Sequence, residues 1–119
     1  MVVSEPLGRD QGVPSVLARI QALVQKGEVR ISAHGYDELA KDGLTAREVV
    51  AGVSEALVVE EYPQFAKGPC VLVFQRDGQG SPIHVVWGIP AGASSPAVVV
   101  TAYRPDPDLW SEDFLERRK

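Results

Sequence analysis

The chain predicts an α+β domain in which N-terminal helices pack on one face of an antiparallel β-meander. Three observations carry this. Residues 14 to 57 hold apolar side chains at helical spacing. Three later runs, Val71 to Arg76, Ile83 to Trp87 and Val98 to Tyr103, are β-branched and aromatic and are separated by Gly, Pro and Ser clusters. At 119 residues the chain is long enough to bury one proper core without disulfides or metal, and too short for a second domain.

Taken in order, residues 1–13 combine Gly, Pro and mixed charge and read as a flexible N-terminal arm, with residues 14–119 as the single domain. Val16, Leu17, Ile20, Leu23 and Val24 make the apolar stripe of a helix over 14–26, and Gly27 stands at its left-handed C-cap. Glu28 to Ile31 alternates polar and apolar residues, as a short edge strand does. Ser32 then caps a helix over 33–42 that ends at Gly43 and turns Tyr36, Leu39 and Ala40 inward. Thr45 and Glu48 form a capping box for a third helix over 46–56, whose buried stripe is Val49, Val50, Val53 and Leu57. Val58 to Tyr62 turns extended until Pro63 stops it, and the loop that follows brings Lys67 toward the meander. After the meander, Arg104-Pro105-Asp106-Pro107 cannot continue a ladder, and Trp110 with Phe114 supplies apolar anchors for a last helical turn.

Closing the two meander connections symmetrically sets Arg76 opposite Ile83 and Gly88 opposite Ala97. Gln75, His84 and Thr101 then share one row, because opposed residues share a face. Leu72, Phe74, Val85, Trp87, Val98 and Val100 would point the other way, toward the helices. A slip of one residue in either hairpin reverses the assignment for one strand.

Composition narrows the function classes. No apolar run is long enough to span a bilayer, and the N-terminus lacks the basic start and long apolar stretch of a secretion signal, so a cytoplasmic protein is expected. One Cys and two scattered His do not make a zinc pattern, and no ligands sit at i, i+4 around either His; neither metal nor other cofactor is expected. Cys70 reads as a small strand residue. The net charge of −4 provides no global field for nucleic acid, so any RNA contact must come from a local patch.

Segments in a fixed order carry a resemblance: Arg30-Ile31-Ser32-Ala33-His34, Asp42-Gly43-Leu44-Thr45, Glu61-Tyr62-Pro63, Pro82-Ile83-His84-Val85-Val86, and Thr101-Ala102-Tyr103-Arg104-Pro105-Asp106 with Trp110. Together they resemble the domain-of-unknown-function family 4258, roughly from Val29 to Trp110. That family is similar to small bacterial toxins of the RelE and BrnT type, which place helices before an antiparallel sheet and cleave RNA. The resemblance implies a toxin-antitoxin setting with an antitoxin-like protein partner, and it carries His34, His84, Thr101, Tyr103 and Arg104 over as recurring polar positions without proven roles. Fold likeness alone does not establish chemistry.

Two functional readings follow. Metal-independent RNA cleavage needs a base, an acid and a cation at the phosphate. His34, near a helix N-terminus that disfavours imidazolium, would be the base, His84 the acid, Arg104 the phosphate clamp and Tyr103 a hydrogen-bond donor or stacking ring. Gln75, Thr101 and Lys67 would contact the substrate. The second reading is a non-catalytic protein-interaction module, with His84 a satisfied half-buried histidine and Arg104 paired to an Asp. A homo-oligomer fits either reading.

Overall fold

The computed structural model describes residues 14–118; the predicted N-terminal arm lies outside them. The element order is α1 (Val16–Gln25), β1 (Val29–Ile31), α2 (Ala33–Lys41), α3 (Ala46–Gly52), a 3-10 turn (Val53–Glu55), β2 (Leu57–Tyr62), β3 (Cys70–Arg76), β4 (Pro82–Gly88) and β5 (Ala97–Tyr103). The strands form one sheet in the order β1-β5-β4-β3-β2. Each neighbouring pair from β2 to β5 is antiparallel, but β1 runs parallel to β5, so the sheet is mixed rather than purely a meander. The α2 to β4 stretch is the crossover that a parallel pair requires.

Each helix starts where a side-chain oxygen can accept from an otherwise unpaired amide. Ser15 accepts from Ala18 N, Ser32 from Gly35 N and Thr45 from Glu48 N, while Glu48 reaches back to Thr45 N at 2.7 Å to complete the capping box. The amide of Val16, at the start of α1, also donates to the Glu61 carboxylate of β2 at 2.8 Å. An anion at that end suits the helix dipole. Val16, Leu17, Ile20 and Leu23 are buried, and α3 adds Val49. Full burial of Ile20 alone contributes about 1.5–3 kcal/mol.

Two helical expectations change. α2 turns Gly35 and Leu39 inward, whereas Tyr36 and Ala40 are exposed. The reason is the close approach of α2 to β5: a Cβ on Gly35 would sit 2.7 Å from the Val99 carbonyl oxygen, so the glycine defines the contact face. The third helix ends at Gly52, and Leu57 belongs to β2 and is exposed. The last segment forms no helix, only a turn in which Trp110 N donates to Asp106 O at 3.2 Å. It folds back on itself through a bridge between Trp110 and Arg117.

The register differs from symmetric closure by one residue. Arg76 pairs with Pro82, Gln75 with Ile83 and Phe74 with His84. Asp77 explains the offset: its carboxylate accepts from Gln79 N and Ser81 N, and its own amide donates to Ser81 O at 2.8 Å, which tightens the turn. β4 and β5 pair His84 with Tyr103 and Val86 with Thr101, then shift at a bulge so that Trp87 meets Val99. Val71, Val73, Val85, Trp87 and Val99 therefore join the helix-side core, and Leu72, Phe74 and Val98 face the opposite way.

Gln75 consequently lies in the core and not beside His84. It is 1% exposed, accepts from Trp87 Nε1 at 2.8 Å and donates to the Val49 carbonyl at 2.9 Å, tying β3 to β4 and to α3. Replacing it by Leu would leave a buried N–H and a buried C=O unpaired. We expect Gln75→Leu to lower unfolding free energy by about 2–4 kcal/mol, read from the urea midpoint; an unchanged midpoint would contradict the bridge.

Candidate functional site

The sheet face away from the helices is crossed by three rows of paired residues. Arg30, Val98, Gly88, Cys70 and Tyr62 make the first; Thr101, Val86, Leu72 and Glu60 the second; Tyr103, His84, Phe74 and Leu57 the third. The C-terminal segment folds over the third row, whereas the first floors an open apolar groove of about 490 Å³.

His84 is completely buried under that segment. Its Nε2 lies 2.8 Å from the Phe114 carbonyl oxygen, which can only accept, so Nε2 carries the proton. Nδ1 is then free to accept from the Tyr103 hydroxyl at 3.2 Å. The Trp110 ring stands edge-on at 4.5 Å between centroids, with Tyr103 and Phe74 on the other sides. Phe114 presents its carbonyl by taking a left-handed φ of 61°, which costs a non-glycine residue about 1–2 kcal/mol. Burial pushes the His84 pKa down and the Tyr103 pKa up, so both stay neutral.

Beside this pair lies a charged clasp. Arg117 donates to Glu60 twice, at 2.7 and 3.1 Å, and its guanidinium rests 4.7 Å over the Trp110 ring. Tyr62 donates its hydroxyl to the same carboxylate. The Arg117 bond and then the Tyr62 bond hold the Glu60 pKa below its ordinary value. Glu60, Tyr62 and Arg117 were not among the residues expected from sequence. Glu60 and Tyr62 do share the i, i+2 spacing that puts them on one strand face, but Arg117 reads as part of a solvated basic terminus.

The remaining candidates scatter. His34 sits in the first turn of α2, exposed, with Glu38 at 4.0 Å as its neighbour. No hydrogen bond or ring contact joins it to His84, and α2 sends Leu39 into the core on the other side of the sheet. Arg104 is a cross-tie: its Nη1 pairs with Asp77 at 2.9 Å, its Nε donates to the Asp42 carbonyl, and its amide donates to the Asp42 carboxylate. It links the β3–β4 turn to the end of α2. Thr101 shares the His84 face one row away, and Lys67 lines the open groove. Among the described residues no group of three or more His, Cys, Asp or Glu is placed to hold a metal ion. No described helix is long and apolar enough to cross a membrane.

The His84 environment sets a pH dependence. Its folded-state pKa lies below the ordinary 6.5, so between the two values the unfolded chain binds the proton better. Stability from this group is complete above about pH 6.5 and is lost as pH falls through that value toward the folded pKa. Glu48, Glu60, Asp77 and Asp113, whose pKa values are also lowered, act in a separate window below about pH 4.5. Urea melts at pH 8 and pH 5.5 should show the decline in wild type, and His84→Gln, which cannot titrate, should flatten it.

Comparison with known proteins gives one match. No curated protein and no solved structure matches the chain. A family model described as "Domain of unknown function (DUF4258)" matches residues 31–104, which takes in His34, His84, Tyr103 and Arg104 and leaves Trp110, Phe114 and Arg117 outside. Since that match covers more than half of its length, the chain belongs to the DUF4258 family.

Proposed function

We propose that this domain is a non-catalytic binding module whose working surface is the sheet face opposite the helices. The observation that carries this reading is the state of His84. Both ring nitrogens are engaged within the chain and the ring is wholly enclosed, so it has neither a free lone pair nor a path to a substrate proton. The other histidine stands apart in α2, exposed and joined to His84 by no hydrogen bond or ring contact. Next to the enclosed half, the same face offers an apolar groove with Tyr62, Phe65 and Val100 exposed at 44%, 54% and 37%. Exposed aromatic and aliphatic side chains gathered in one concavity fit a binding role.

A second reading is a metal-independent ribonuclease of the RelE or BrnT type, held in check by an antitoxin-like protein. It is favoured by the linked Tyr103, His84, Glu60, Tyr62 and Arg117 cluster, which sets proton-transferring groups beside a cation. It requires the C-terminal segment to lift from His84. The two readings separate in one experiment, incubation of the purified chain with single-stranded RNA over a range of pH without metal, together with expression in bacteria lacking any partner. The binding reading predicts intact RNA and unimpaired growth. Cleavage that falls by about a hundredfold or more in a folded His84→Ala variant would establish the nuclease instead.

A further inference from the structure

We propose that the open groove is a site for a free medium-chain carboxylate, an alkyl chain of about eight to twelve carbons ending in one negative charge. The assignment is independent of whether the His84 cluster is catalytic, since the groove lies at the other end of the face.

Shape comes first. Arg30, Val98, Gly88, Cys70 and Tyr62 are successive partners across all five strands. At a strand spacing of about 4.8 Å, the row runs roughly 19 Å from Arg30 to Tyr62. Gly88 stands at its centre, and its missing side chain makes the floor a trough between Val86, Val98 and Val100. A Cβ there would meet Cys70 Cβ, the Pro69 carbonyl and Val100 Cγ2 each at 3.5 Å, ordinary contact, so the position is empty by residue choice and not by steric exclusion. The wall beyond is the 63–69 loop, pressed onto the β4–β5 connection at Gly68, whose Cβ would lie 2.0 Å from the Ile89 carbonyl oxygen. The volume of about 490 Å³ falls within the ~300–1,000 Å³ usual for small-molecule sites.

Charge selects the ligand. Arg30 and Lys67 line the groove, no Asp or Glu does, and neither cation is ion-paired among the described residues. The Cys70 thiol, its pKa raised by burial, adds no negative charge. A cationic amphiphile would face two positive groups on apolar walls. A nucleotide would bury a polar sugar and several phosphate charges where few donors exist to receive them. An apolar chain with a single carboxylate matches both features: its methylenes cover the valine floor, and its head accepts charge-assisted hydrogen bonds from Arg30 or Lys67.

The test is calorimetric titration of the whole chain with hexanoate, octanoate and decanoate, each kept below its micellar concentration, with decylamine and adenosine monophosphate as controls. Affinity should rise roughly tenfold for each added pair of methylenes. Decanoate should slow modification of Cys70, the single thiol, by a disulfide reagent. Arg30→Ala with Lys67→Ala should weaken decanoate binding by about tenfold or more, the scale of a lost charged hydrogen bond. Gly88→Leu should abolish binding by filling the trough; if that variant does not fold, Gly88→Ala, which fits in ordinary contact, should fold and bind measurably weaker. Absence of decanoate binding and of Cys70 protection overturns the proposal. So does decylamine or adenosine monophosphate binding as tightly, or decanoate binding indifferent to both the Gly88 and the cation substitutions.

Discussion

The antiparallel pairing of β3 with β4 places Phe74 opposite His84 and Gln75 opposite Ile83, and this register decides what each face of the sheet receives. With side chains alternating at a period of two, a shift of one residue would exchange every assignment on one strand. In the observed register two buried polar side chains are each satisfied, on opposite faces. Gln75 joins Trp87 to α3 on the helix side, and His84 joins Tyr103 to the Phe114 backbone on the other. An unsatisfied partner at either place costs more than an average hydrogen bond contributes, so both bridges also oppose slippage of the strands.

The face opposite the helices is divided by what covers it. Trp110, Phe114 and Arg117 close its His84 end, the Arg117–Glu60 clasp fastens that cover, and the valine trough around Gly88 stays open. Tyr62 stands at the boundary, with its ring lining the groove and its hydroxyl on Glu60. The covering segment lies beyond residues 31–104, which match the DUF4258 family model.

Much of the architecture was legible in the sequence because it rests on local rules. The Ser32 and Thr45 caps, the left-handed glycine at 27, the end of α2 before Gly43 and the α1 stripe are short-range patterns, and the structure carries each of them. The site was harder to read because it depends on pairing. Symmetric closure of the Asp77 turn places Gln75 beside His84; the Asp77 carboxylate tightens that turn instead and moves Gln75 into the core. Arg104 reads equally well as a phosphate clamp or as an Asp partner until Asp77 and Asp42 are seen on either side of it. The parallel β1–β5 pair and the Arg117 clasp join residues 57 or more positions apart, a separation at which no local pattern speaks.

Whether His84 is an enclosed, neutral bridge is measured directly by nitrogen-15 imidazole spectra recorded through a pH titration. The Nε2–H tautomer at neutral pH, with a midpoint below the ordinary 6.5, is the predicted result. An Nδ1–H tautomer, or an imidazolium persisting to neutral pH with a midpoint above 6.5, would contradict it and return His84 to the role of an available acid.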